Sequence, residues 1–233
     1  MLSVEGLHTY YGRAHILANV AFQVIPGEVV VLLGRNGAGK STTLKSIMGL
    51  VPPAAGRIVF RGADIAGRQP FEIARLGLGF VPEDRRIFTE LTVEENLEVG
   101  RRPANPDAPL WTVEKLFALF PNLGGMRDRL GSQMSGGEQQ MLTIARTLMG
   151  NPSFLLLDEP SEGLAPVIVE QMANTILDLK HQGLTVLLSE QNLHFARMVS
   201  DRALIIEKGR MRFAGTMAEL MSNEGVRAQY LSL

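Results

Sequence analysis

A chain of 233 residues, 45% hydrophobic and 20% charged, has room for one large domain or a domain with a lobe. Its net charge of −1 without a long basic run disfavours a nucleic-acid partner, and the absence of cysteine excludes disulfides and thiolate metal sites. His8, His15, His181 and His194 show no ligand spacing, and no apolar run approaches the ~20 residues of a bilayer span, so a membrane would be served from its water side.

After a short apolar start, GEVVVLLG at 27–34 reads as a strand buried on both faces. A glycine-rich turn follows, then KSTTLKSIMGL, where Leu44, Ile47 and Met48 fall at helical spacing before Gly49. RIVFRGADI and GLGFVP suggest further short strands. Helical signals then dominate, with one helix expected from near Thr112 to Pro121 and another from Ser135 to the Gly150–Asn151–Pro152 stop. Strand and helix alternate again through FLLLDEP, a helix from Val167 to His181 closed by Gly183, LTVLLSEQN, and RALIIEKGRMRFAG. The expected plan is an α/β core, 1–84 and 151–233, interrupted by a mainly helical insertion, 85–150.

Three segments carry chemistry. GRNGAGKS matches GxxxxGK[ST] in full, between the expected strand and helix that a phosphate loop needs. Gly34, Arg35, Asn36, Gly37, Ala38 and Gly39 would turn backbone N–H groups around phosphate oxygens, with Lys40 neutralising charge, Ser41 ligating Mg²⁺ and Thr42 opening the helix. FLLLDEP ends a buried strand in two carboxylates, Asp158 to hold Mg²⁺ and Glu159 to polarise an attacking water, although a plain acidic strand end would look the same. MSGGEQQ sets Ser135, Gly136, Gly137 and Glu138 at a helix start, an anion site or an ordinary N-cap with a glycine hinge.

In this order and spacing, the three segments resemble the ABC (ATP-binding cassette) ATPases over essentially the whole chain. The resemblance implies a P-loop core with a mainly parallel sheet, an N-terminal antiparallel β subdomain and an inserted helical subdomain. It implies two cassettes sandwiching ATP head to tail, so that Ser135, Gly136, Gly137 and Glu138 act on the partner's nucleotide. Tyr11 occupies the place of the adenine-stacking aromatic, though Tyr10 adjoins it.

Three positions depart from the common pattern: Glu83 stands where glutamine is usual, Gln191 where a histidine is usual, and Ala165 where an aspartate is usual. Glu83 is expected at the nucleotide and its metal, and Gln191 keeps a donor and an acceptor for the γ-phosphate without the histidine's charge. Each is equally a solvated polar residue at a strand end. VPEDRRIFTELTVEENL, DEPSEGLAP and LLSEQN look like the smaller ATPase subunit of branched-chain amino-acid importers, a group that includes urea and amide importers. That resemblance implies a second cassette, two permease chains, an extracytoplasmic binding protein, a cytoplasmic membrane-face location, and a permease contact around Ile87 and Phe88. The alternatives are a soluble cassette ATPase outside transport, which usually carries two fused cassettes or a long coiled insertion, and a GTPase or kinase, for which no NKxD motif is present.

Overall fold

A computed structural model of the chain describes residues 1–106 and 108–231; Asp107, Ser232 and Leu233, which the expected insertion and core ranges include, lie outside the described residues. The chain opens with two long strands, β1 (Leu2–Tyr11) and β2 (Ala14–Val24), the antiparallel start that the family resemblance implied where the residues alone read as a short apolar stretch. There follow β3 (Val29–Leu33), α1 (Lys40–Ile47), β4 (Ala55–Phe60), β5 (Ala63–Asp64), α2 (Pro70–Arg75) and β6 (Leu78–Val81). A helical stretch then runs through α3 (Val93–Gly100), α4 (Val113–Leu119), α5 (Pro121–Gly124) and α6 (Gly136–Leu148). The remainder alternates: β7 (Phe154–Asp158), α7 (Pro166–His181), β8 (Thr185–Glu190), α8 (Leu193–Val199), β9 (Arg202–Glu207), β10 (Arg210–Thr216), then α9 (Met217–Ser222) and α10 (Glu224–Tyr230).

The strands form two sheets, an antiparallel one in the order β2-β1-β4-β5 and a six-stranded one in the order β10-β9-β3-β8-β7-β6. The larger is parallel except for β10, which returns on β9 as a hairpin. Its strands β3, β8 and β7 are buried at every position because both faces are covered, and they are apolar except near the ends. Val29, Val31 and Leu33 of β3, with Leu155 and Leu157 of β7, face the core that includes α3, α6 and α7. The alternate residues, Val30, Leu32, Phe154 and Leu156, face a second core shared with α1 and the antiparallel sheet. A period of two thus divides one unbroken hydrophobic run between two cores.

The caps written in the sequence close the helices. Thr92, Ser135 and Thr216 each accept a hydrogen bond from the backbone N–H three residues on, and Glu95, Glu138 and Glu219 reciprocate. Asn151, buried and at φ 51°, accepts from Trp111 N–H and donates to the carbonyls of Arg102 and Pro103, clasping the loop between α3 and α4.

Candidate functional site

Strand order decides which loops meet. Because β3, β8, β7 and β6 are neighbours, the segments after them line up along one edge of the sheet, where open α/β sheets hold ligands. A cleft of 410 Å³ opens there, lined by Asn36, Gly37, Gly39, Lys40, Ser41 and Thr42 from the glycine loop and α1. Tyr11, Glu83, Glu159 and Glu162 complete its wall. Tyr11 faces the cleft and is half exposed, whereas Tyr10 stacks on His15 with ring centroids 4.2 Å apart.

The glycine loop is tight by construction. A Cβ on Gly34 would lie 2.5 Å from the Ile206 carbonyl, and Gly39, which opens α1, has φ 111°. Arg35 O accepts from Ala38 N–H at 3.1 Å, and Ala38 O accepts from Gly209 N–H at 2.9 Å, which pins the loop to the β9–β10 hairpin. Lys40 is 3% exposed; its ammonium donates to Gly34 O at 2.8 Å and Arg35 O at 3.3 Å and pairs with Glu159 Oε1 at 3.0 Å. A buried ammonium needs such partners, and the carboxylate supplies the opposite charge.

Glu159 is held from several sides. Its backbone sits at φ 47°, a left-handed conformation costing about 1–2 kcal/mol for a residue with a Cβ. Bonds from its N–H to Ser189 Oγ (3.1 Å) and Ser189 O (3.2 Å) offset that strain. Its side chain accepts from Gln191 Nε2 at 3.0 Å, so the base candidate and the histidine-replacing glutamine are in direct contact. Asp158 Oδ1 accepts from Ser189 Oγ at 2.7 Å, but Asp158 Oδ2 is buried without a hydrogen-bond partner. An orphaned carboxylate oxygen costs about 1–3 kcal/mol or more unless something answers it, and a divalent cation or its water does so. No group of three metal-ligating side chains occurs among the described residues, and Mg²⁺ does not need one, because substrate phosphates and water supply much of its shell. Asp158 and Ser41 therefore fit Mg²⁺.

Carboxylates crowd this edge and move one another's titration. Burial pushes the Glu159 carboxyl up, but hydrogen bonds from Gln191, Glu162 and Lys40, with the Lys40 charge, outweigh it and hold the group below its ordinary value. Glu162 is pushed up to about 7, first by its hydrogen bond with Glu159, then by burial and by the charges of Glu159, Glu83 and Glu190. Burial also raises Glu190, against hydrogen bonds from Ser161, Asn192 and Gln191.

Sequence reasoning missed Ser189, Glu190 and Glu162. The first two immediately precede Gln191 at the end of a buried strand, and the parallel register Asp158↔Ser189 puts them beside the acidic pair. Glu162 carried no spacing signal. The remaining predicted residues lie elsewhere: Ser135, Gly136, Gly137 and Glu138 open α6 outside the cleft. The N–H groups of Ser135 and Glu138 are engaged in the cap, since Ser135 N–H donates to Glu138 Oε2 (2.7 Å) and Glu138 N–H to Ser135 Oγ (3.4 Å). Ala165 is the uncapped start of α7. Phe88 is half exposed under the Arg146 guanidinium, 4.9 Å from its ring, with its backbone held at both N–H and C=O by buried Asn96.

A phosphate loop after one parallel strand, an acidic pair at the end of the next strand but one, and α6 opening away from both define a P-loop nucleotide-hydrolysing cassette. The ABC transporter family model matches residues 17–162, and the chain belongs to that family. It is 44% identical to the high-affinity branched-chain amino acid transport ATP-binding protein BraG of Pseudomonas aeruginosa, over 99% of both chains. It is 37% identical to the lipopolysaccharide export system ATP-binding protein LptB of Haemophilus influenzae, over 99% of this chain and 97% of that one. The ADP conformation of an ATP-binding cassette of an ABC transporter superposes with a TM-score of 0.83 at 28% identity, covering 98% of this chain and 97% of that one. The protein is thus the ATP-binding, ATP-hydrolysing subunit of a transporter. No helix among the described residues is long and apolar enough to cross a membrane.

Proposed function

We propose that this chain is a motor subunit of an importer for branched-chain amino acids or related small solutes, working at the cytoplasmic face of the membrane. The observation that carries the reading is the 44% identity to a branched-chain amino-acid transport subunit over 99% of both chains. In this reading 1–84 and 151–233 form the nucleotide-binding core and 85–150 a helical unit that reaches a second cassette. Two permease chains and an extracytoplasmic binding protein complete the machine.

The nucleotide lies in the cleft, its adenine on Tyr11 and its phosphates in the amides of residues 34–42. Lys40 exchanges its pairing with Glu159 for phosphate oxygens. Glu159 Oε1 is then free to accept a proton from the attacking water, while Gln191 Nε2 continues to hold Oε2. Ser41 and Asp158, with Glu83 at the rim, would hold Mg²⁺, which would supply positive charge to offset that of the phosphates. Ser135, Gly136, Gly137 and Glu138 complete the neighbouring cassette's site, and release of phosphate reopens the pair.

Reconstitution of the chain with its permease and binding protein in proteoliposomes tests the reading. ATP-dependent uptake of labelled leucine, with ATPase activity stimulated by the liganded binding protein, is the expected result. A second reading, export of an amphiphilic glycolipid, is favoured by the 37% identity to a lipopolysaccharide export subunit. Stimulation by such a lipid, without amino-acid uptake, would replace the first reading with the second.

A further inference from the structure

The glutamate one residue before Gln191 is among the most enclosed charged groups of the molecule. Glu190 is 2% exposed and ends β8, the strand between the glycine-loop strand and the acidic-pair strand. Its Oε1 accepts from Ser161 N–H at 3.1 Å, and its Oε2 accepts from Gln191 N–H at 3.1 Å and Asn192 N–H at 3.2 Å. Three backbone donors from two separate loops converge on one side chain. Such a set suits an ionised carboxylate, which only accepts, and it offsets the cost of burying the group.

Each loop that Glu190 holds is joined to Glu159, one through its backbone and one through its carboxylate. Ser161 lies in the turn begun by Glu159, where Glu162 N–H returns to Glu159 O at 3.2 Å and Leu164 N–H to Ser161 O at 3.4 Å. Gln191 places its amide against Glu159 Oε2 at 3.0 Å, and Asn192 caps α8 through its bond from Phe195 N–H at 3.2 Å. A clamp between the two loops therefore fixes where the Gln191 amide meets the Glu159 carboxylate.

We propose that Glu190 is a positioning residue for hydrolysis: its buried carboxylate ties the turn after Glu159 to the turn carrying Gln191, holding base and amide in register. The proposal rests on the reading of Glu159 as the base. It assigns Glu190 no contact with nucleotide. Charge and reach are both required, because a glutamine has one acceptor oxygen and two donor hydrogens, and would set N–H against N–H on one of the two loops. Asp is one methylene too short to span both.

The test compares Glu190→Gln with Glu190→Asp, Gln191→Ala, the double variant Glu190→Gln/Gln191→Ala and Glu159→Gln, all in the full chain. Glu190→Gln is expected to lower kcat at least about tenfold while ATP affinity stays within about twofold, because a misplaced base costs turnover rather than binding. Deuterium uptake should rise in the turns containing Ser161 and Gln191–Asn192. The double variant should fall little below the worse single variant, since both changes undo one contact. Glu190→Asp provides the same readings if the glutamine variant does not fold, with partial loss of kcat expected. Wild-type turnover in the Glu190 variants, or losses of kcat and of ATP affinity in equal measure with fully additive double-variant effects, would overturn the proposal. Glu159→Gln separates the two failures: if it retains turnover the base reading fails, whereas an inactive Glu159→Gln beside an unaffected Glu190→Gln removes the clamp alone.

Discussion

The two segments proposed to meet phosphate are built in opposite ways. At the sheet edge, Lys40, Asp158, Glu159 and Glu190 are buried and bonded to one another, to the Ser189 hydroxyl or to backbone groups of neighbouring loops, with Asp158 Oδ2 left over. At the start of α6, Ser135 and Glu138 satisfy each other locally, and none of the four residues 135–138 lines the cleft. The first part is a cradle held from many directions; the second is a helix tip held by its own capping box, outside the cleft. Such a division suits a site finished by a neighbouring molecule: the cradle must be rigid before ligand arrives, and the tip needs only to be accessible.

The largest effect should come from removing the cradle's cation. Lys40→Ala takes away the charge that opposes Glu159 and faces the phosphates, so nucleotide affinity should fall by about 10²-fold or more in a fluorescent-nucleotide titration. Retained affinity would break the comparison at its first term. Next, Glu159→Gln should bind ATP yet lose about 10²-fold or more in turnover, the scale of one lost catalytic group. Unchanged turnover would put the base elsewhere. Ser135→Ala sharpens the contrast from the other side: it should lower turnover about tenfold while a single chain's ATP affinity stays within about twofold, with a stability loss of ~1 kcal/mol from the cap. Loss of single-chain affinity would mean that the tip serves its own cradle.

How much of this was legible in the sequence follows the same division. Strands buried on both faces announce themselves as unbroken apolar runs, and the glycine loop and α6 carry punctuation that reads locally, so β3, β7, β8, α1 and α6 fell where expected. The opening hairpin was expected from the family resemblance but not from its own residues, because its alternation is broken: inward positions pass from Leu2 and Val4 to Leu7 and Thr9, with a register shift across Gly6 at φ 57° and Asn19 at φ 59° on the facing strand. Glu190 and Glu162 escaped for another reason. Their importance comes from strand neighbours distant in sequence, and a single carboxylate has no periodicity to reveal it. Only the pairing of β7 with β8 shows that two turns, 31 residues apart at the Asp158–Ser189 hydrogen bond, form one network.

The smallest effect concerns charge crowding at the cradle. With its carboxyl pushed up to about 7, Glu162 keeps a proton that an unfolded chain would release near the ordinary carboxylate value of 4.5. A raised value in the folded state means a stabilising contribution that is complete below that ordinary value and is lost as pH rises through about 7. Glu159 has the opposite sign: its depressed value contributes above the ordinary carboxylate range and is lost only as pH falls below it, outside the window that Glu162 governs. Glu190 is shifted upward too, but it is present in both proteins of the comparison. A glutamine at position 162 can donate to Glu159 at any pH, so Glu162→Gln should flatten the fall in thermal midpoint between about pH 5 and pH 8, measured without nucleotide. The difference should be small, because the side chain is exposed and water screens its charges. Parallel curves for the two proteins would show that Glu162 and Glu159 share no proton and that the crowding is relieved by solvent.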